Sequence, residues 1–256
     1  MNSTKIKCVF VHGWGMNHAI WSPLLEQLPE TLEPVVIDLP GHGLRTQESF
    51  QSLDELVDDL SGLIDEPAIW VAWSLGGLAV MQLALQQPKK FLGLVLLASS
   101  PCFVQRDDWP CAMPASVFDD FAQQLEMDFS GTIQRFLSLQ VRGSESGRQL
   151  LRQLRKDVLE QPAANIQALR SGLELLKTVD LRAELKAIST PVHWYLGGQD
   201  GLVKSSLVDQ LTYLQPQAKV TVFQKAAHAP FLSHSEQFIQ QLTTFVEEIY
   251  DTSREW

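Results

Sequence analysis

The chain has 256 residues, of which 45% are apolar and 20% charged, enough apolar material for a sizeable core. Its formal charge of -10 argues against nucleic-acid binding and against an anionic membrane surface. The three cysteines, Cys8, Cys102 and Cys111, are odd in number and scattered, and the opening MNSTKIKCVF has no signal-peptide core. The longest apolar run, around Phe91 to Ser99, falls far short of the ~20 residues a membrane helix needs. A reducing, cytoplasmic setting is the expectation.

Short β-branched runs alternate with helical patterns along the chain, which predicts a mostly parallel, doubly wound sheet covered on both faces. The first strand, Lys7–Val11, runs into His12-Gly13-Trp14-Gly15, and the second, Pro34–Asp38, into Leu39-Pro40-Gly41-His42-Gly43. A helix follows over Leu53–Ile64. The strand Ile69–Ala72 then leads into Trp73-Ser74-Leu75-Gly76-Gly77 and a helix over Leu78–Gln86, before a strand at Leu92–Leu97.

From 107 to 180 the alternation stops and the pattern is helical throughout, with starts or breaks at Ser130-Gly131-Thr132, Gly143–Gly147 and Pro162. Strands resume at Val192–Leu196 and Lys219–Phe223, separated by a helix at Ser205–Leu214. A last helix over Glu236–Tyr250 follows a Ser235 cap. Residues 1–106 and 181–256 therefore read as one α/β core, and 107–180 as a helical insertion. Long insertions at the C-terminal edge of an open α/β sheet usually cover a site, because ligands bind there.

The stretch around Ser74 raises the chemical question. A serine at the point where a buried strand turns into a helix is either an ordinary helix cap or a nucleophile on a tight elbow. The elbow pattern of α/β-hydrolases is G-x-S-x-G. Here it reads Ala72-Trp73-Ser74-Leu75-Gly76, with the smallest side-chain replacement at the first glycine. Serine is a poor nucleophile near neutral pH and needs a histidine base oriented by a carboxylate. In this fold the chain order is serine, then acid, then histidine.

Asp200 follows the strand Val192–Leu196, and His228 follows Lys219–Phe223. Taken singly, Asp200 reads as well as a turn residue and His228 as a loop histidine. Their joint occurrence at successive strand ends makes coincidence a poor explanation. A tetrahedral intermediate also needs preorganised donors for its oxyanion. The candidates are the N–H of Leu75, after the serine, and that of Trp14, in the loop after the first strand. His12 reads as a loop brace, and the Asp38–Gly43 turn as loop-shaping. His12 and His18 have no further ligand spacing that would make a metal site. No phosphate-loop, dinucleotide or H-E-x-x-H motif occurs. An aspartate in place of Ser74 would have suggested dehalogenase chemistry.

Several stretches together resemble one family closely: His12-Gly-Trp-Gly15, Trp73-Ser-Leu-Gly-Gly77, Phe136-Leu-Ser-Leu-Gln140, Leu176–Arg182, Asp200-Gly-Leu-Val203 and Lys225–Phe231. They look like the carboxylesterases of biotin synthesis, α/β-hydrolases that cleave the methyl ester of pimeloyl-[acyl-carrier protein]. The resemblance spans almost the whole chain, helical insertion included.

It implies that Ser74, Asp200 and His228 are catalytic and that Trp14 and Leu75 hold the oxyanion. It further implies that Phe136, Leu137, Ser138, Leu139 and Gln140 line the acyl channel under a lid. The plainer reading of that segment is an amphipathic helix packed on the core, and for Leu137 and Leu139 it competes with the channel. The implied partner is an acyl-carrier protein, with no cofactor, metal, nucleic acid or membrane, and the protein acting as a monomer. A general short-chain carboxylesterase and a catalytically silent ligand-binding protein on the same fold stay open beside this reading.

Charge points the same way independently. Residues 132–156 hold Arg135, Arg142, Arg148, Arg152, Arg155 and Lys156 against Glu145, a net +5 on a chain whose total is -10. Arg148, Arg152, Arg155 and Lys156 share one helix face by spacing. A solvated helix face is the bland reading of such a run. Beside a site, and on an otherwise acidic protein, it also suits an acidic carrier protein, with Arg135, Arg148, Arg152 and Arg155 as its contacts.

Overall fold

A computed structural model describes residues 5–140 and 147–253. Its strands are β1 (Ile6–Val11), β2 (Leu32–Ile37), β3 (Ala68–Trp73), β4 (Phe91–Leu97), β5 (Val192–Gly197) and β6 (Lys219–Phe223). All pair in parallel in the order β2-β1-β3-β4-β5-β6. β3 and β5 are buried at every position, as continuous apolar runs in a sheet covered on both faces should be. The chain leaves β1 to one side for β2 and returns to the other side for β3. The order therefore reverses between β1 and β3, where open α/β sheets form a ligand crevice.

The helices, in chain order, are α1 (Ser22–Leu25), α2 (Leu53–Leu63), α3 (Leu75–Gln86), α4 (Ala115–Met127), α5 (Phe129–Gln140), α6 (Gly147–Leu159), α7 (Ile166–Thr178), α8 (Leu207–Leu214), α9 (Pro230–Ser233) and α10 (Ser235–Ser253). α2 shows how local sequence sets an element. The Ser52 hydroxyl accepts from Glu55 N at 3.1 Å while the Glu55 carboxylate accepts from Gln51 N at 2.8 Å. The Ser52 bond satisfies a donor that the helix start would otherwise leave open, and the Glu55 carboxylate ties in the residue before the cap. Leu56, Val57 and Leu60 then form the buried face of α2.

α4 to α7 are inserted between β4 and β5. The insertion is stapled to the loops that follow β1 and β2. Asn17 Nδ2 donates to Val158 O at 3.0 Å, Asn165 N to Gly41 O at 2.7 Å, and the Thr46 hydroxyl to Ala163 O at 2.6 Å.

The sequence places the main elements, and the structure departs from it at several points. α3 begins at Leu75, immediately after Ser74, rather than at Leu78. Ser235 is the first residue of α10 rather than its cap, and its hydroxyl donates to Gln27 Oε1 at 3.1 Å. The stretch 107–114, expected to be helical, is instead irregular. Isolated bridges pair Val104 with Met113 and Arg106 with Trp109, and the Trp109 indole donates to Cys102 O at 2.9 Å. Pro110 and Pro114 account for this, since proline removes an N–H donor and biases the residue before it away from helix. Gly143–Ser146 lies outside the described residues. Cys8, Cys102 and Cys111 are free thiols, all buried. No described helix is long and apolar enough to cross a membrane.

Candidate active site

The site is built from four loops at the C-terminal edge of the sheet. At the first, Ser74 follows β3 with φ 55° and ψ -118°, a left-handed backbone that a side-chain-bearing residue adopts at a cost of about 1–3 kcal/mol. Its surroundings hold it there. Ser74 N donates to Leu97 O at 3.0 Å, Leu78 N to Ser74 O at 3.2 Å, and the buried Ser99 hydroxyl to the same carbonyl at 2.8 Å. The elbow works because α3 packs hard against the end of β1. A Cβ at Gly76 would collide with His12 O and lie 2.9 Å from Val11 Cγ1. Ala72, where the family pattern has glycine, sits within β3 opposite Val11 and Leu96 and is fully buried. The elbow forms with an alanine at that position.

The second loop follows β5. One oxygen of Asp200, Oδ1, accepts from Leu202 N at 2.7 Å and Val203 N at 3.1 Å. Its other oxygen, Oδ2, is 2.7 Å from His228 Nδ1. The loop after β6 carries His228, whose Nε2 is 3.0 Å from Ser74 Oγ. With Nδ1–H donating to the carboxylate, Nε2 keeps its lone pair toward the serine hydroxyl. Ser74, Asp200 and His228 are 4%, 7% and 1% exposed, so this line of hydrogen bonds lies in a medium that screens charge poorly. The geometry can deprotonate a serine as it attacks an acyl carbon.

The fourth loop follows β1. Gly13 packs against Ser74 and the Trp73 carbonyl. His12 fixes this loop: Nδ1–H donates to Gly13 O at 2.8 Å, and Nε2 accepts from Leu39 N at 3.0 Å. Burial, with His42 beside it, pushes the His12 pKa down to about 3, so it is a neutral brace. Asp38 plays a similar part in the next loop, accepting from His18 N at 2.6 Å, His18 Nδ1 at 2.8 Å and Leu44 N at 2.9 Å. Leu75 is the first residue of α3, so its N–H has no carbonyl one turn back to bond and is available to a ligand.

An apolar channel rises from Ser74 and His228 between Trp14, Phe103, Met113, Val117, Phe118, Phe121, Phe136, Leu173, Leu176 and Leu202. Its free space of about 30 Å³ holds one or two waters. Trp14 meets Phe136 edge-on at 5.0 Å between ring centres, which sets one wall. Of the five residues expected in the channel from α5, Phe136 alone lines it. Leu137 is buried in the core, and Leu139 is half-buried. The Ser138 hydroxyl donates to Gln134 O at 2.9 Å, and Gln140 is buried with Nε2 donating to Phe136 O at 2.8 Å. The reason is the helix period: successive side chains turn about 100° round the axis, so five in a row cannot face one channel.

The basic face is divided. Arg152 and Arg155 are exposed on α6, and Arg155 Nη2 reaches Ser138 Oγ at 3.4 Å. Arg148 is placed on α6 by its backbone alone, and Arg142 lies outside the described residues. Arg135, on α5, is exposed but turns to its own helix start, 3.4 Å from Asp128 Oδ2 and 3.0 Å from Thr132 Oγ1.

Sequence reasoning missed two supports. The Trp73 indole donates to His228 O at 2.9 Å, so the residue before the nucleophile holds the histidine loop, and Ser99 holds the elbow carbonyl. Neither has a local signal. The channel walls on α4 and α7 did leave one in the spacing of Val117, Phe118 and Phe121 and of Leu173 and Leu176. Among the described residues, no three His, Cys, Asp or Glu side chains are grouped to hold a metal ion.

A serine poised on a strained elbow, a histidine and an aspartate at the C-terminal ends of parallel strands, and a helical insertion overhead define a class. The pattern of the alpha/beta hydrolase family matches residues 8–241, and the chain belongs to that family. It is 42% identical over 236 residues to the pimeloyl-[acyl-carrier protein] methyl ester esterase of Salmonella heidelberg (strain SL476), covering 92% of each chain. This bears out the resemblance read from the motifs. Among solved structures it is similar to an esterase from Exiguobacterium antarcticum (TM-score 0.85, 19% identity, 96% and 93% of the two chains). A bromoperoxidase from Bacillus anthracis is as similar (TM-score 0.86, 18% identity, 96% and 93%). At such identities these two likenesses speak for the fold alone.

Proposed function

We propose that the protein hydrolyses the methyl ester of pimeloyl-[acyl-carrier protein], freeing the distal carboxylate and methanol. The observation that carries this is the hydrogen-bonded line Asp200–His228–Ser74 at the base of an apolar channel, in a chain 42% identical to esterases so named. Ser74 Oγ attacks the ester carbonyl as His228 Nε2 takes its proton, and Asp200 holds the imidazolium that forms. The N–H groups of Trp14 and Leu75 receive the oxyanion, whose stabilisation is usually the largest catalytic contribution. His228 returns the proton to the leaving methoxide, and methanol departs. Water, deprotonated by the same histidine, then cleaves the pimeloyl-Ser74 ester.

The helices α4 to α7 act as a lid. The apolar channel takes the methylene chain, with Trp14 and Phe136 in its wall. The carrier protein docks outside it on Arg148, Arg152 and Arg155, with Arg135 at the margin. Acidic groups of the carrier complement this face, which sets encounter rate and register more than raw affinity. The cytoplasm, where carrier-bound acyl chains are made, is the setting this substrate requires.

The test is direct. Purified protein incubated with pimeloyl-[acyl-carrier protein] methyl ester should release methanol stoichiometrically, and the Ser74→Ala protein should not. The gene should also restore growth without biotin to an auxotroph lacking this esterase. Turnover of p-nitrophenyl acetate with none of the carrier-bound ester would make the protein a general short-chain carboxylesterase. Turnover of neither would make it a binding protein.

A further inference from the structure

The side chains of both proposed oxyanion donors rest on one point of the lid. A Cβ built on Gly172, in the middle of α7, would lie 2.8 Å from Trp14 Cδ1, 3.4 Å from Trp14 Nε1 and 3.0 Å from Leu75 Cδ2. One turn back on the same helix, Leu169 O accepts from Trp14 Nε1 at 2.8 Å. The indole is 1% exposed and fenced by Phe136 at 5.0 Å and Phe121 at 6.2 Å between ring centres, both edge-on. Leu75 is fully buried. Trp14 and Leu75 come from loops after different strands, β1 and β3, and α7 is the surface that meets both.

From this juxtaposition we infer that Gly172 is a positioning residue for the oxyanion hole, acting through the side chains of Trp14 and Leu75. The inference rests on the assignment of those two residues as the donors. The physical reason is close packing. Glycine lets the helix backbone approach the indole to a distance no Cβ tolerates, and the Leu75 methyl to one at which a Cβ would press on it, so the lid bears on where the two backbone N–H groups point. A methyl group at 172 has two ways to be accommodated. The pinned indole gives way, which tilts the Trp14 N–H off the oxyanion. Alternatively α7 lifts, which moves Leu173 and Leu176 and widens the channel. Because Leu169 O of α7 itself holds the indole, the indole moves with that helix, and the structure assigns the larger part of the shift to the Trp14 loop through its side chain.

The two responses separate in kinetics. Displaced donors lower kcat and leave KM, whereas a widened channel raises KM and leaves kcat. A glycine that served only the helix would respond in neither way. Alanine is the better helix former, so its substitution there would leave activity intact and raise Tm.

The experiment compares wild type with Gly172→Ala on p-nitrophenyl butyrate, a substrate that needs no carrier protein. It also measures inhibition by butylboronic acid, which forms a tetrahedral adduct on the serine with an oxygen in the oxyanion position. The expected result is a fall in kcat of about 10- to 100-fold, of the size that loss or misplacement of one oxyanion donor produces. KM should stay within about twofold, and boronate affinity should fall by the same factor as kcat/KM, as for an interaction made in the transition state.

Trp14→Phe, which cannot bond Leu169 O, should lower kcat and boronate affinity in parallel by a smaller factor. It decides the matter should the alanine variant fail to fold. Wild-type kcat and boronate affinity in a folded variant, or a rise in KM alone, would overturn the inference. Wild-type protein that hydrolyses no ester at all would remove the serine-hydrolase reading, and this inference with it. Failure on the carrier-bound ester alone would count against the proposed substrate and leave the Gly172 result standing.

Discussion

The edge of the sheet and the helical lid are built on opposite terms. At the edge, polar groups are buried and tied to one another: Asp200 accepts two backbone N–H groups and the His228 ring, and Asp38 and His12 each bond the backbone of the neighbouring loops. On the lid, charged groups pair in water. Arg170 bonds Glu126 at 2.5 Å and Lys177 bonds Asp119 at 2.6 Å, each joining α4 to α7 with both partners largely exposed. Exposed pairs contribute only about 0–1 kcal/mol, and salt screens them. A buried partner removed leaves an uncompensated polar group, which costs more. A change is thus felt abruptly at the edge and gradually on the lid.

This contrast can be broken from its strong end. Ser74→Ala should lower ester hydrolysis by about four to six orders of magnitude, the scale at which a lost triad nucleophile is felt, with circular dichroism and Tm near wild type. A near-normal rate would remove Ser74 from the chemistry. Asp200→Asn should cost about 10⁴-fold in kcat, because an amide at Oδ2 favours the wrong imidazole tautomer. Stopped-flow detection of the acyl-enzyme burst would place the loss in the acylation step. A small effect would mean another group orients His228.

Acid should find the edge before it finds the lid. Burial pushes His42 from an ordinary 6.5 down to about 4, and Nδ1–H is committed to Pro40 O at 3.1 Å. Because the folded pKa lies below the unfolded one, the unfolded chain binds more protons between the two. Stability is therefore complete above about pH 6.5 and is lost as pH falls toward 4, by on the order of 3 kcal/mol for this group. His12, buried and pushed to about 3, adds in the same direction. Urea midpoints measured from pH 7 to 4 should fall accordingly. In His42→Asn, which can keep the bond to Pro40, the decline should be shallower; an unchanged slope would clear His42 of the effect.

The smallest effect belongs to the lid. Reversing Arg152 and Arg155 to Glu should lower kcat/KM for the carrier-bound ester by about 0.2–1 kcal/mol per lost contact, with added repulsion slowing encounter. Hydrolysis of p-nitrophenyl butyrate should be unchanged. Equal losses on both substrates would mean that the arginines support the lid itself. Arg135, already turned to Asp128, should matter less than the pair on α6.

The same division explains what the sequence made legible. Strands announce themselves by β-branched runs, and a residue just past a strand end can be assigned to an edge from one dimension. That is how Ser74, Asp200 and His228 could be brought together across 154 residues. The supports are different in kind. Trp73 reaching His228 O, Ser99 under the elbow and Gly172 against two loops are contacts of tertiary distance, and each residue type is ordinary where it stands. Within the lid, amphipathic spacing gives a helix but not its rotation. α5 buries Ile133, Phe136, Leu137 and Gln140 together, so which of them faces the channel depends on how the helix is set against Trp14. The resemblance implied five channel residues in a row, whereas the helix turns Phe136 alone of them to the pocket beside Ser74.

The channel above Ser74 is already nearly filled by its own aromatic walls, with about 30 Å³ left open. An acyl chain entering it has little water to release and must trade ring–ring contacts for ring–methylene contacts. Titration calorimetry of a short alkyl boronate should therefore show heat evolved near 25 °C rather than a gain in entropy, as for apolar guests in poorly hydrated cavities. Chain length should be read out as a limit rather than a slope: each added methylene is accepted until the rings can part no further, and the next one is refused.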